Sequence, residues 1–144
     1  MKSTILRTAL TALACAGAIA MATPSMAAMV AFKANLNAAS EVPPNDSKGA
    51  GEVTATYNTD TKMLTWKGTY KDLSGPATAA HFHGPAEPGK NAGVAVPIAP
   101  NTSPLAGSAE LKPEQAEDLM AGKWYVNVHT AANKGGEIRG QLTK

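Results

Sequence analysis

From residue 30 onward, apolar and polar side chains alternate with a period of two, the pattern of half-buried strands. In "MVAFKANL", Val30, Phe32, Ala34 and Leu36 share one side. After the turn-rich "SEVPPNDSKGAG", "EVTATYN" alternates again. "KMLTWKGTYKDL" then sets Leu64, Trp66, Gly68 and Tyr70 against Thr65, Lys67 and Thr69, and the connector "NTDT" suits a hairpin between these two runs. Further short strands are predicted at "ATAAHFH", "GVAVPI", "GSAEL", "KWYVNVH" and "EIRGQL", with loops rich in Gly and Pro between them. One helix is predicted at "KPEQAEDLMAG". Pro113 fits its first position, Glu114, Glu117 and Asp118 favour its N-terminal half, and Gly122 fits the position after its end. It is long enough only to cap an edge or an end. Seven or eight short strands at this spacing predict an all-β fold, an antiparallel Greek-key β-sandwich or barrel with one short helix. No internal repeat and no long linker divides residues 28–144, which read as one domain.

The N-terminal segment follows a different pattern. Lys2 and Arg7 precede an alanine-rich apolar run over residues 9–22, and Ser25 and Ala27 stand at the minus-three and minus-one positions of a cleavage site. Residues 1–27 therefore read as a secretory signal peptide, the run being short for a membrane span. This predicts a periplasmic or secreted protein with no membrane attachment after processing. Cys15, the only cysteine, leaves with the signal, so the mature chain offers no disulfide, no thiolate nucleophile and no Cys ligand. Lys2 and Arg7 leave as well, so the 13 basic residues become 11 against 11 acidic ones. With no basic run, the electrostatic footprint of nucleic-acid binding is absent.

The chemistry-bearing residues are the histidines. The chain has three: His81 and His83 in "TAAHFHGPA", and His129 in "WYVNVHTAAN". Residues two apart in a strand project to the same face, so His81 and His83 point together while Phe82 goes the other way. In the later strand Trp124, Val126 and Val128 make the apolar face, leaving Tyr125, Asn127 and His129 opposite. Both histidine segments sit at the downstream ends of their strands, and if those ends lie at one rim the three imidazoles converge. Three neutral imidazoles with an open fourth position suit Cu(II), with Zn(II) the other choice. Blue-copper chemistry in its usual form is excluded because no thiolate remains. The competing reading has the same histidines as structural residues, hydrogen-bonded to loop carbonyls.

Other constellations are weaker. The acids around residues 110–118 are explained by the helix, and no Gly-X-Ser-X-Gly element occurs. In "KGGEIRGQL", Glu137 and Arg139 share a face by alternation. The plain reading is a surface ion pair; the sharper one is that Arg139 orients a loop or guides an anion towards the histidines. Sandwich edges leave a homodimer open, though no long apolar stripe requires one.

"FKANLNAASEVPP", "AAHFHGPA", "NAGVAVPI" and "GSAELKPEQAEDLMAGKWYVNVHTAANKGGEIRGQL" together resemble the CHRD domain, named after chordin and widespread in secreted bacterial proteins. The resemblance covers residues 30–142, with Phe82 where Ile is usual and Lys134 where Pro is usual. It implies a secreted β-sandwich module and no settled activity. The layout is also similar to copper-zinc superoxide dismutase in its Greek-key barrel and its His-X-His strand. The zinc-loop histidines, bridging histidine and disulfide cysteines of that enzyme have no counterparts, so the likeness extends at most to a copper-only site. Two functions are therefore expected to compete: copper handling or dismutase-like redox chemistry at His81, His83 and His129, and a non-enzymatic extracytoplasmic binding or matrix module.

Overall fold

A computed structural model describes residues 28–144. The expected signal peptide and Cys15 lie outside the described residues. Eight strands form one antiparallel sheet: β1 (Met29–Asn37), β2 (Ala50–Asn58), β3 (Met63–Lys71), β4 (Ala77–His83), β5 (Val94–Pro97), β6 (Leu105–Glu110), β7 (Tyr125–Thr130) and β8 (Ile138–Gln141). One helix, α1 (Pro113–Met120), follows β6, and a 3-10 turn at Ala38–Ser40 closes β1. The expected all-β class holds, and among the predicted architectures it is the barrel, nearly closed, that forms.

Spatial order runs β5-β4-β7-β8-β1-β2-β3-β6. The β1–β2 and β2–β3 ladders are long and regular. Between β8 and β1, by contrast, the strand ladder is reduced to Asn37 opposite Arg139, with a bridge from Lys33 to Thr143. The barrel is thus two four-stranded halves joined through one short ladder. The period of two in the sequence explains the interior. Phe32, Ala34 and Leu36 from β1, Val53, Ala55 and Tyr57 from β2, and Leu64 and Trp66 from β3 are all buried. Ala80 and Phe82 from β4 meet them from the other half with Val126 and Val128 from β7. Phe82 is central: its ring lies edge-on to Trp66 at 5.1 Å and tilted to Trp124 at 6.0 Å. Such aromatic pairs add to the stabilisation from buried area.

The helix has the predicted ends. Pro113 is its first residue, and Gly122 follows the C-cap with φ +75°, the left-handed conformation that glycine adopts without a Cβ penalty. Its role exceeds capping. Leu119 and Ala116 enter the core, and the Gln115 amide donates to Ala95 O of edge strand β5 at 3.0 Å. The helix that leaves edge strand β6 is thereby tied to the other edge, which masks backbone groups otherwise open to strand addition. Among the described residues no helix is long and apolar enough to cross a membrane.

Candidate metal centre

Inward packing of Phe82, Val126 and Val128 sends the alternate residues of β4 and β7 outward. His81, His83, Tyr125, Asn127 and His129 therefore share the outer face of two paired strands, with His81 opposite Asn127, His83 opposite Tyr125 and Ala79 opposite His129. The expected shared rim is not the cause of the convergence. β4 and β7 are antiparallel, so their downstream ends point to opposite rims. The imidazoles meet because their strands are neighbours and their registers bring them together on one face.

That face is roofed. The loop over residues 84–93 lies across it, held by Ala86 N–H to Lys123 O at 2.8 Å and by the Gln141 amide to Ala86 O at 3.1 Å. The Tyr125 hydroxyl donates to Ala92 O and accepts from Ala92 N–H. The Arg139 guanidinium donates to Lys90 O at 2.6 Å and Asn91 Oδ1 at 2.9 Å. Roofing explains why Tyr125 and Asn127, expected on an outer face, are as buried as core residues.

One nitrogen from each of His81, His83 and His129 lies within 4.8 Å of the others. His81 Nδ1 and His129 Nε2 are 3.2 Å apart. His83 is buried, 8% exposed, while the other two are partly open to solvent. Backbone carbonyls select the tautomers at two of the rings: His83 Nδ1 faces Ala92 O at 3.0 Å and His129 Nδ1 faces Lys134 O at 2.9 Å. Donating Nδ1–H to a carbonyl leaves Nε2 as the bare nitrogen. This is the outer support that metal-ligating histidines usually have. Burial holds the His81 and His83 pKa values below the ordinary range; the neighbouring imidazoles lower His81 further, and hydrogen bonds to Ala92 and Asn127 partly offset burial at His83. All of this favours neutral rings, the form that binds metal.

The donor set fits a transition-metal ion, with one adjustment. Donors about 2.0–2.1 Å from a tetrahedral ion stand roughly 3.4 Å apart, so a separation of up to 4.8 Å must close by as much as about 1.4 Å. Rotation about side-chain torsions supplies such a shift.

Around the imidazoles the structure corrects one expectation. Glu137 and Arg139 are not a surface ion pair. Both are buried, at 0% and 2% exposure, and among the described residues no ion pair joins them. Glu137 accepts from Ser47 Oγ, Ser74 N–H, Ser74 Oγ, Thr130 Oγ1 and Asn133 Nδ2. Arg139 lies with Cζ 3.4 Å from the Tyr125 ring centre, and His83 stacks on the same ring at 4.8 Å and 2°. Because β7 runs between β4 and β8, the imidazole reaches Tyr125 from one side and the guanidinium from the other. Of the two roles expected for Arg139, the placement matches orienting a loop.

Two residues that the sequence reading passed over belong to this neighbourhood. Asn127 Oδ1 lies 2.9 Å from His83 Nε2, and the Glu41 carboxyl lies against the Asn127 amide and Gly136. Alternation along β7 had put Asn127 on the histidine face, so a signal existed. Glu41 sits in an irregular loop with no periodicity to mark it.

A search of curated proteins and a search of solved structures both find no match. A family model does match: the CHRD domain, over residues 32–142. That span runs from the first inward phenylalanine of β1 to the last buried leucine and takes in all three histidines. The chain belongs to the CHRD domain family.

Proposed function

We propose that this protein is an exported binding module that takes up a divalent copper-type ion, with zinc as the other candidate, through His81, His83 and His129. The observation that carries the reading is the pairing of convergence with tautomer control. One nitrogen from each ring falls in a 4.8 Å cluster, and carbonyls of two separate loops each hold the Nδ1 of His83 and His129, leaving Nε2 free to bind. In the metal-free chain His81 Nδ1–H can donate to His129 Nε2 at 3.2 Å, and a bound ion would replace that proton. Imidazole donors suit Cu(II) and Zn(II), and when bound the ion would supply Lewis acidity or, as copper, one-electron chemistry.

Between metal handling and dismutase-like catalysis, handling is favoured. Dismutation needs an anion to reach the ion, and Arg139, the cation expected to assist, is buried and hydrogen-bonded through both Nη atoms to the covering loop. Titration of the purified mature protein with Cu(II) and with Zn(II) tests the proposal. One equivalent is expected to bind, and His83→Ala is expected to abolish it. Equal weak binding by both proteins overturns the metal reading and leaves a binding or matrix module with structural histidines. A superoxide assay on the copper-loaded protein separates carrier from enzyme, with no activity above free copper expected.

A further inference from the structure

We infer that Asn127 is a fourth donor to the ion, its amide oxygen oriented for that task by Glu41. The inference rests on the three-histidine reading and extends it. It begins from a mismatch at His83. Nδ1 faces one acceptor, Ala92 O at 3.0 Å, and Nε2 faces another, Asn127 Oδ1 at 2.9 Å. A neutral imidazole carries a single N–H, so one of these contacts sets a lone pair against a lone pair.

Neither acceptor can readily be exchanged for a donor. Ala92 O is a backbone carbonyl that also accepts from the Tyr125 hydroxyl. The Asn127 amide could in principle turn over, but its nitrogen and the Glu41 carboxyl flank Gly136 together, an electrostatic attraction short of a hydrogen bond. Turning the amide would bring its oxygen against a carboxylate and lose that contact. Gly136 matters to this packing, because a Cβ there would stand 2.2 Å from Glu41 Oε1. Glu41 itself is buried, and its Oε1 has no hydrogen-bond partner. Such an expense in a buried carboxyl is intelligible if the group sets the direction of the amide.

With Ala92 O taking the Nδ1 proton, His83 Nε2 is bare and stands beside an amide oxygen, 2.9 Å away. Two lone-pair atoms at that spacing are close to what neighbouring ligands require, since donors about 2.1 Å from one ion are about 3 Å apart at right angles and about 3.4 Å apart in a tetrahedron. A cation between them supplies what the ring lacks. The resulting set, three imidazole nitrogens and one amide oxygen, fills the fourth position that the histidines leave. An oxygen donor also biases the site towards Cu(II) and Zn(II) and against the softer Cu(I).

The test is Zn(II) affinity, by competition titration, for the wild-type protein, His83→Ala, Asn127→Ala, Asn127→Asp and Glu41→Gln. Asn127→Ala is expected to weaken Zn(II) at least tenfold, Asn127→Asp to retain binding, and Glu41→Gln to fall between. Wild-type affinity in Asn127→Ala, together with loss in His83→Ala, overturns the fourth donor and leaves the three-histidine site standing. Absence of stoichiometric binding in the wild type overturns both. Should Asn127→Ala fail to fold, the wild-type side-chain amide resonances decide: displacement of the Asn127 signals on adding one equivalent of Zn(II) supports the donor, and unmoved signals overturn it.

Discussion

Two glutamates in this small domain are buried, and their surroundings drive them in opposite directions. At Glu137 burial alone would raise the carboxyl pKa, but donors from Ser47, Ser74 and Thr130 outweigh it and hold the value down to about 2 from 4.5. At Glu41 burial wins over the Arg139 charge, the Val42 amide and Asn127, and the value rises to about 6. The linkage signs follow. Glu137 contributes stability that is fully present above its unfolded value and is lost as pH falls from 4.5 towards 2, about 3 kcal/mol in all at 1.36 kcal/mol per unit. Glu41 contributes stability that is present below pH 4.5 and lost as pH rises through 6, about 2 kcal/mol. Thermal melts of the metal-free protein against each glutamine variant isolate the two. The deficit of Glu137→Gln relative to wild type should grow as pH rises from 2 to 5. Glu41→Gln should gain on wild type as pH rises from 4.5 to 7. A pH-independent difference in either series would show that the carboxyl does not titrate as its surroundings require.

Among the elements, the strands of the β4–β7 pair do opposite work on their two faces. Inside, Phe82 joins Trp66 and Trp124. Phe82→Ala removes a fully buried ring and should cost about 3–5 kcal/mol, read from urea unfolding. Outside, the same strands present the histidines to a loop that has no regular structure of its own. Arg139 and Tyr125 hold that loop, so Arg139→Met should loosen it while the barrel persists. Losing charge-assisted hydrogen bonds worth about 1.5–3 kcal/mol predicts amide exchange at Ala92 faster by at least about tenfold. Unchanged exchange at Ala92 would mean that Tyr125 and the other loop contacts suffice. The strand periodicity, the β2–β3 hairpin and both helix ends were legible in the sequence, because each depends on residues within a few positions of one another. The burial of Tyr125, Asn127, Glu137 and Arg139 was not. It is produced by loops distant in sequence, which no local pattern reports.

For the whole molecule, a folded-state metal site couples binding to stability. Zn(II) held at a hundred times its dissociation constant should stabilise the domain by about 2.7 kcal/mol, and His83→Ala should remove that increment while leaving a folded barrel. A wild-type melting temperature that ignores Zn(II) would count against the site independently of any titration. Strand order matters here, since it makes β4 and β7 inner neighbours in the sheet, with β5 and β6 at its edges. Ligands on paired interior strands are held by ladders on both sides, so the site has a firm floor and a loop roof.

Taken by itself, the chain determined which residues face inward and which carry chemistry. A strand's side chains alternate whatever its partners, and only three histidines exist to be placed. Tertiary structure decided the rest. Antiparallel pairing of β4 with β7, at a register setting His81 opposite Asn127, brought the imidazoles together mid-face where strand ends at a common rim had been expected. Pairing partners, register and the path of a covering loop depend on contacts between segments more than forty residues apart, and such contacts leave no periodic trace in the sequence.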